Sequence, residues 1–456
     1  MKTIRKITAL MIIMLLSCMI RAKADDYIIT DLLFSGNVHT PLDIQLDSIH
    51  FSQYTPFDDV RTESFNRLIQ HLSMGISADQ YSSRSDFFVD QDLIFSFIQQ
   101  QNEQYSLSQY SFAPDVIIEQ KIADDSDISF SSFLDKRFFV LNQLLDDLYI
   151  MFEKIPSAYP EKAKTEKVSL NYTGYGKGVK KMTFSFSAEE VKNSFPSNLM
   201  MLSESQEARD FLDSLAFDGP QKIILVFDTD DHLLRVSYDG KTGFSDNDLR
   251  KLSVVCRSVR NNYIKKDKLT VKSPSVKGYN RDNIVYERSF DATDQEHQRL
   301  SFDYQLDNRY DKDRNKIHFS ADISLSDSVL SGNIIYDIKR PDSDNTIVLK
   351  PEFQIIKDGE CAGILEITRK TGKIVLYGLS AHVSLSAGKA VGLTNIAQST
   401  TINSDSEAGT NAYSDLQKEM ASILVRRLIS LPKEDIDFLN HDIDDTEWSS
   451  LFDSII

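Results

Sequence analysis

The run Asp228-Thr229-Asp230-Asp231 comes nearest to a metal motif in this chain. Carboxylates at alternate positions are how a calcium loop gathers oxygen ligands. Such a loop also needs Gly at its sixth position and a bidentate Glu at its twelfth, between two helices. Counted from Asp228 those positions hold Leu233 and Asp239, and strand-like sequence lies on both sides, so turn chemistry accounts for the aspartates. Asp311 and Asp313 read the same way. Gly174-Tyr175-Gly176-Lys177-Gly178 has the composition of a phosphate cradle. Phosphate loops run from a strand into a helix N-terminus, whereas this one runs into another strand and reads as a hairpin connection.

The eight histidines form no HxH, HExxH or HxxxH pair, and no GxSxG occurs. Carboxylates are too common here for any pair to single out acid–base chemistry. The expectation is a protein that is not an enzyme, with no catalytic, metal or cofactor residue. Cys256 and Cys361 lack metal or redox spacing. In an oxidising compartment they can pair and close a long loop; otherwise they are buried as small apolar side chains. A reactive thiol needs an electropositive setting, for which only Arg257 beside Cys256 speaks.

The compartment is written in the first two dozen residues. Lys2, Arg5 and Lys6 precede an apolar run from Ile7 to Leu16, and Ala22-Lys23-Ala24 then leads into Asp25. Basic start, apolar middle and small residues before a cut are the marks of a secretory signal, with cleavage between Ala24 and Asp25. The apolar run is shorter than a spanning helix requires. Leu15-Leu16-Ser17-Cys18 also approaches a lipobox, in which Cys18 would be lipidated and begin the mature chain. Both routes give an extracytoplasmic protein, secreted or at the cell surface, and membrane-anchored only if Cys18 is lipidated.

The 456 residues carry a formal charge of −17, and loss of the signal's five basic and no acidic residues takes it to −22. So acidic a surface disfavours nucleic acid and anionic membranes as partners. The one local exception, Arg257, Arg260, Lys265, Lys266, Lys268 and Lys272, reads as a solvated strand edge or loop. At 41% hydrophobic and 26% charged the composition is that of a globular protein. Phe and Tyr are plentiful and Gly sparse, which favours long strands.

The elements follow from periodicity. Residues 26–155 read as a smaller α+β lobe. In it Phe65, Leu68, Leu72 and Ile76 predict a helix that begins near Asp58 and Asp59. Leu134, Phe138, Leu141, Leu145, Leu148, Phe152 and Ile155 form one face of a second helix, capped by Ser132-x-x-Asp135 and laid against a sheet. Pro156 to Glu166 reads as a linker. Residues 167–394 then give two strands, helices opened by capping boxes at Ser187-x-x-Glu190 and Ser203-x-x-Gln206, and a long run of strands joined by short polar turns. Short connections force antiparallel neighbours. Phe319, Ala321, Ile323 and Leu325 alternate with His318, Ser320, Asp322 and Ser324, as in a sheet wet on one face and packed on the other. Residues 395–412 read as a flexible linker, and 413–456 as a helix stopped by Pro432 with an acidic tail.

The fold class expected is therefore α+β: a large curved antiparallel meander with a few packing helices. The strand order from Val168 to Leu385 resembles the curved sheets, with helices on the concave side, of bacterial extracytoplasmic lipoprotein carriers of the LolA/LppX kind. That resemblance implies a non-catalytic binding protein holding a lipid or other apolar or amphipathic ligand between sheet and helices. The alternative is a cell-surface or scaffold protein that binds cell-envelope proteins through sheet edges or the acidic tail.

Overall fold

The computed structural model describes residues 42–55, 57–78, 82–101, 105–121, 138–192, 216–243, 249–260, 263–273, 281–294, 297–310, 313–340, 343–356, 360–387, 393, 399–403 and 406–436. Six strands open the fold: β1 (Leu42–Tyr54), β2 (Leu72–Ala78), β3 (Ser82–Val89), β4 (Asp92–Gln101), β5 (Tyr105–Tyr110) and β6 (Ala113–Lys121). Next come β7 (Lys164–Tyr172), β8 (Gly176–Phe186), β9 (Ala216–Phe227), β10 (Leu233–Gly243), β11 (Arg250–Arg260) and β12 (Ile264–Ser273). The longest run is β13 (Arg281–Asp291), β14 (His297–Tyr310), β15 (Asp313–Ser326), β16 (Val329–Arg340), β17 (Ser343–Ile355), β18 (Cys361–Thr371) and β19 (Ile374–Ala387). A short β20 (Thr400–Asn403) completes the strands, and the long helices are α1 (Asp59–Ile69), α2 (Phe138–Ala158) and α3 (Glu407–Leu428).

All twenty strands belong to one sheet. β1 to β6 form one antiparallel meander and β7 to β19 another, and β19 pairs antiparallel with β1 from Leu42↔Ala387 to Tyr54↔Tyr377. The ladder thus runs β20, β6 to β1, then β19 down to β7, with β20 parallel to β6. The strands of the first lobe extend the large sheet through that β1–β19 seam. The class is a large antiparallel sheet with few helices. Tight hairpins set the register: Asp327 and Ser328 both have φ above zero, which gives the two-residue turn whose twist matches the strands it joins.

Period-2 alternation divides the sheet into two chemically opposite faces. Tyr286, Leu300, Tyr304, Phe319, Ile334, Leu349 and Phe353 are buried on one face of β13 to β17. On the other, Arg299 and Asp322 form an exposed bidentate pair, and His318 lies between Asp303 and Asp337.

The helix expected to reach Ile76 stops at Ile69, with Asp58 accepting from the Arg61 amide as N-cap. Leu72 and Ile76 are instead on β2. A spacing of four fits a helix face, but it is also an even number, so with Met74 between them it fits a strand face as well. Gly75 tips the balance against helix. Asn66 fixes α1 on the sheet: its side chain accepts from the Phe51 amide at 2.7 Å and donates to the Phe51 carbonyl at 2.8 Å. Below that contact Phe51, Tyr54, Phe65, Leu68 and Val89 form a core that Leu428 and Leu431 close from the C-terminal side.

The stretch expected to be a linker, 395–412, holds β20 and the first turn of α3. Ladder pairing to β6 asks nothing apolar of Thr400-Thr401-Ile402-Asn403, and Ser406 caps α3 by accepting from the Gly409 amide. The second linker, Pro156 to Glu166, is also ordered: α2 runs through Pro156 to Ala158, and a 3-10 turn, Pro160–Lys162, leads into β7.

The C-terminal segment is held by a histidine. His71 Nδ1 lies 2.6 Å from Asp90 Oδ1, and its Nε2 lies 3.0 Å from Asp435 Oδ2. A neutral ring donates from one nitrogen only, so two carboxylate partners call for the imidazolium. Arg67 adds a hydrogen bond to the Glu434 carbonyl. Burial alone would lower the His71 pKa, but Asp90 and Asp435 outweigh it and hold the ring above its ordinary 6.5. A raised histidine gives stability that is complete below its unfolded value and lost as pH rises through its folded value. Amide protection of residues 431–436, corrected for intrinsic exchange, is therefore expected to fall between mildly acid and mildly alkaline pH. His71→Gln should abolish that dependence, and the same pH profile in both proteins would refute the latch.

Candidate functional site

The site begins where α2 crosses the apolar face. Tyr149, Met151 and Ile155 pack with Phe184 and Phe186 of β8, Leu225 of β9 and Leu233 of β10. Tyr149 also donates its hydroxyl hydrogen to the Leu233 carbonyl at 2.7 Å, a buried bond that fixes the helix against the strand. One turn earlier Leu145 enters the larger core of β11 to β19, β1 and β2. Tyr238 and Cys256 border both cores. The helix expected to lie against a sheet does so; its proposed cap at Ser132 and Asp135 lies outside the described residues.

Next to this crossing is a buried ionic set. Register places Asp267 of β12 directly opposite Ser258 of β11 on one side and Arg288 of β13 on the other. Arg288 Nε donates to Asp267 Oδ2 at 2.6 Å, Arg260 Nη2 donates to Oδ1 at 3.1 Å, and the Ser258 hydroxyl also donates to Oδ1. The Asp267 and Arg288 side chains are both 0% exposed. Arg260 stacks over the Tyr149 ring, its Cζ 4.0 Å from the centroid, so helix and ionic set are one unit.

Burial would raise the Asp267 carboxyl, but Arg288 and Arg260 hold it below the usual range. A carboxylate held ionised by two guanidinium groups is a poor proton acceptor near neutrality, so the set does not make a general base. It does mark a polar end. From Arg288 the same cross-strand row continues through Phe302, Ala321, Ile334, Leu349, Ile367 and Leu379, all apolar. At roughly 4.8 Å per strand this is an apolar track on the order of 24 Å from Phe302 to Leu379, with charge one strand beyond its end.

A second buried polar group sits nearby. Gln221 of β9 is fully buried, accepts from the Tyr238 hydroxyl at 2.5 Å and donates to the Asp218 carbonyl at 2.9 Å. It fills the register shift between Asp239 and Lys241 and lies over Gly240, where a Cβ would strike its amide.

The residues singled out by sequence do not converge here. Asp228 Oδ1 accepts from the Asp230 and His232 amides at 2.8 Å each, the turn chemistry expected, although Asp228, Asp230 and His232 lie close enough to share a cation. The Gly174 to Gly178 run is the β7–β8 hairpin, with Gly174 and Gly176 at positive φ. Cys256 on β11 and Cys361 on β18 are not joined to each other by a disulfide, and burial pushes the Cys361 thiol up to about 12, away from reactivity. Cys18, Ala22, Ala24 and Asp25 lie outside the described residues. Sequence reasoning missed Ser258, Arg260, Asp267, Arg288 and Gln221.

No family model and no curated protein matches the chain. Solved structures with a similar course include an outer-membrane protein and a porin. Outer-membrane OmpT of Vibrio cholerae is 9% identical with a TM-score of 0.24, over 76% of this chain and 95% of that one. A substituted porin of Rh. blastica is 9% identical with a TM-score of 0.25, over 76% and 97%. Likeness at that level leaves function to this chain's own residues. Transmembrane barrels turn an apolar band outward and line the lumen with polar residues. Here the apolar face is buried within the protein, and the exposed face carries Arg299, Asp322, Lys350, Glu366 and His382.

Proposed function

We propose that this chain is an exported, non-catalytic binding protein that holds an apolar or amphipathic ligand between the sheet and α2. The observation that carries the reading is the row from the Asp267–Arg288–Arg260 set into Phe302, Ala321, Ile334 and Leu349, a polar end joined to a long apolar track on one face. A ligand with a polar head and a hydrocarbon body matches that order. An Asp267 carboxyl held ionised by Arg288 and Arg260 supports binding over acid–base catalysis. Export rests on the N-terminal sequence, and an exposed charged face suits a sheet that works in water at the cell envelope, free or tethered through Cys18.

Organic extraction of the natively purified chain followed by mass spectrometry is expected to release one class of apolar compound in near-stoichiometric amount. Titration of the stripped protein with a fluorescent fatty acid should then saturate at one site. An extract free of lipid together with a linear, non-saturating titration would remove this reading.

A further inference from the structure

The polar face carries a feature that the apolar-face reading does not use. Within residues 250–273 stand eight Lys or Arg and a single acidic residue, Asp267, in a chain of net charge −17. Asp267 is on the opposite face and already paired with two arginines. Register splits the basic residues: Arg260 and Lys265 share the apolar side with Ser258 and Asp267, while Arg257, Lys266, Lys268 and Lys272 share the polar side.

On that polar side Arg235 of β10 is directly opposite Arg257 of β11, which is directly opposite Lys268 of β12. Like charges placed opposite each other destabilise a sheet unless something offsets them. Lys268 is offset by Glu287. Among the described residues neither Arg235 nor Arg257 has a carboxylate partner, and the Nε of each is buried without an acceptor. Instead both guanidinium groups are gathered on one ring: Tyr172, at the end of β7, has the Arg235 Cζ 5.5 Å and the Arg257 Cζ 5.6 Å from its centroid. Arg235 Nη1 also donates to the Tyr172 hydroxyl at 3.4 Å. Lys266 Nζ stands 5.2 Å from the centroid of Tyr175, at the tip of the same hairpin. Tyr172 and Tyr175 are buried over Val226 and Leu234, so the hairpin is a fixed platform, and the two arginines above it remain part-exposed.

The geometry points to Arg235 and Arg257, with Lys266 beside them, as a binding site for a phosphate- or sulfate-type oxyanion. Two planar forks held side by side suit an anion with several acceptor oxygens, since each fork can bond bidentately and the anion removes their mutual repulsion. The oxyanion can be free or carried on a lipid headgroup. The site is independent of any ligand on the apolar face.

The test uses the full chain at matched ionic strength, with inorganic phosphate and sulfate in one arm and phosphatidylglycerol–phosphatidylcholine vesicles in the other. Thermal midpoint and calorimetric titration are read for wild type, Arg235→Gln, Arg257→Gln, the charge-conserving Arg257→Lys and the outlying control Lys272→Gln, each checked for fold by circular dichroism. Phosphate or sulfate should raise the wild-type and Lys272→Gln midpoints above those in chloride. Either Gln variant should weaken binding about tenfold or more, and Arg257→Lys, which keeps charge but loses the fork, should fall between. Binding in the first arm assigns a free oxyanion; binding confined to vesicles assigns a headgroup. Failure of the wild type in both arms, or equal binding by wild type and the Gln variants, overturns the site.

Discussion

Asp267→Asn is expected to destabilise the protein by about 3–5 kcal/mol, among the largest effects of any single substitution in this sheet. The carboxylate is the acceptor for Arg288, Arg260 and Ser258 at once. An amide keeps the shape but removes the charge, leaving the 0% exposed Arg288 guanidinium without the partner that offsets its desolvation. The sign with pH follows from the lowered pKa. Asp267 contributes stability that is present above the ordinary carboxylate value of 3.8 and is lost as pH falls through its lower folded value. Denaturant unfolding of wild type and variant should therefore differ most near neutrality and converge in strong acid. Removing Arg288 together with Asp267, as Arg288→Met with Asp267→Leu, should recover much of the loss, because paired deletion leaves fewer buried charges unmet. A loss below about 1 kcal/mol for Asp267→Asn would mean that the ionic set is solvated rather than buried.

Much of this set was legible in the sequence. In Ile284, Tyr286, Arg288 and Phe290 the alternation places an arginine in the apolar register, and Asp267, Leu269 and Val271 do the same for an aspartate one strand earlier. A charge of each sign at inward parity on successive strands is a cross-strand pair in waiting. What alternation could not supply was the register that sets 267 against 288, which the hairpin connections fix. The antiparallel meander itself was plain from short polar turns and period 2. The β1–β19 seam was not, because pairing residues some three hundred positions apart leaves no mark in local spacing. Leu72 and Ile76 misled for a definite reason: even-numbered helical spacings are also strand spacings. The Arg235–Arg257 pair escaped because its members are on different strands, and only register makes two ordinary surface arginines neighbours over Tyr172.

Phe184→Ala is the second large expectation, a loss of about 3–5 kcal/mol. Phe184 is 0% exposed on β8, stacked with Phe186 at a 7° interplanar angle, in the cluster that includes Tyr149, Met151 and Ile155 of α2. Truncation opens a cavity between two rigid elements, a strand paired on both sides and a helix anchored through Tyr149, so collapse around it is limited and the cost falls at the high end. The same truncation at Phe65, on the buried face of α1 in a different cluster, should cost a comparable amount. The two variants differ in where the loss appears. Native-state amide exchange should show α2 and β8 to β10 opening more readily in Phe184→Ala, and α1 and β1 in Phe65→Ala. If α2 is one wall of the binding site, only the first variant should also release bound amphiphile faster at a temperature where both remain folded. Equal release from the two variants would place the ligand away from α2, and no release difference from wild type would detach the helix from binding altogether.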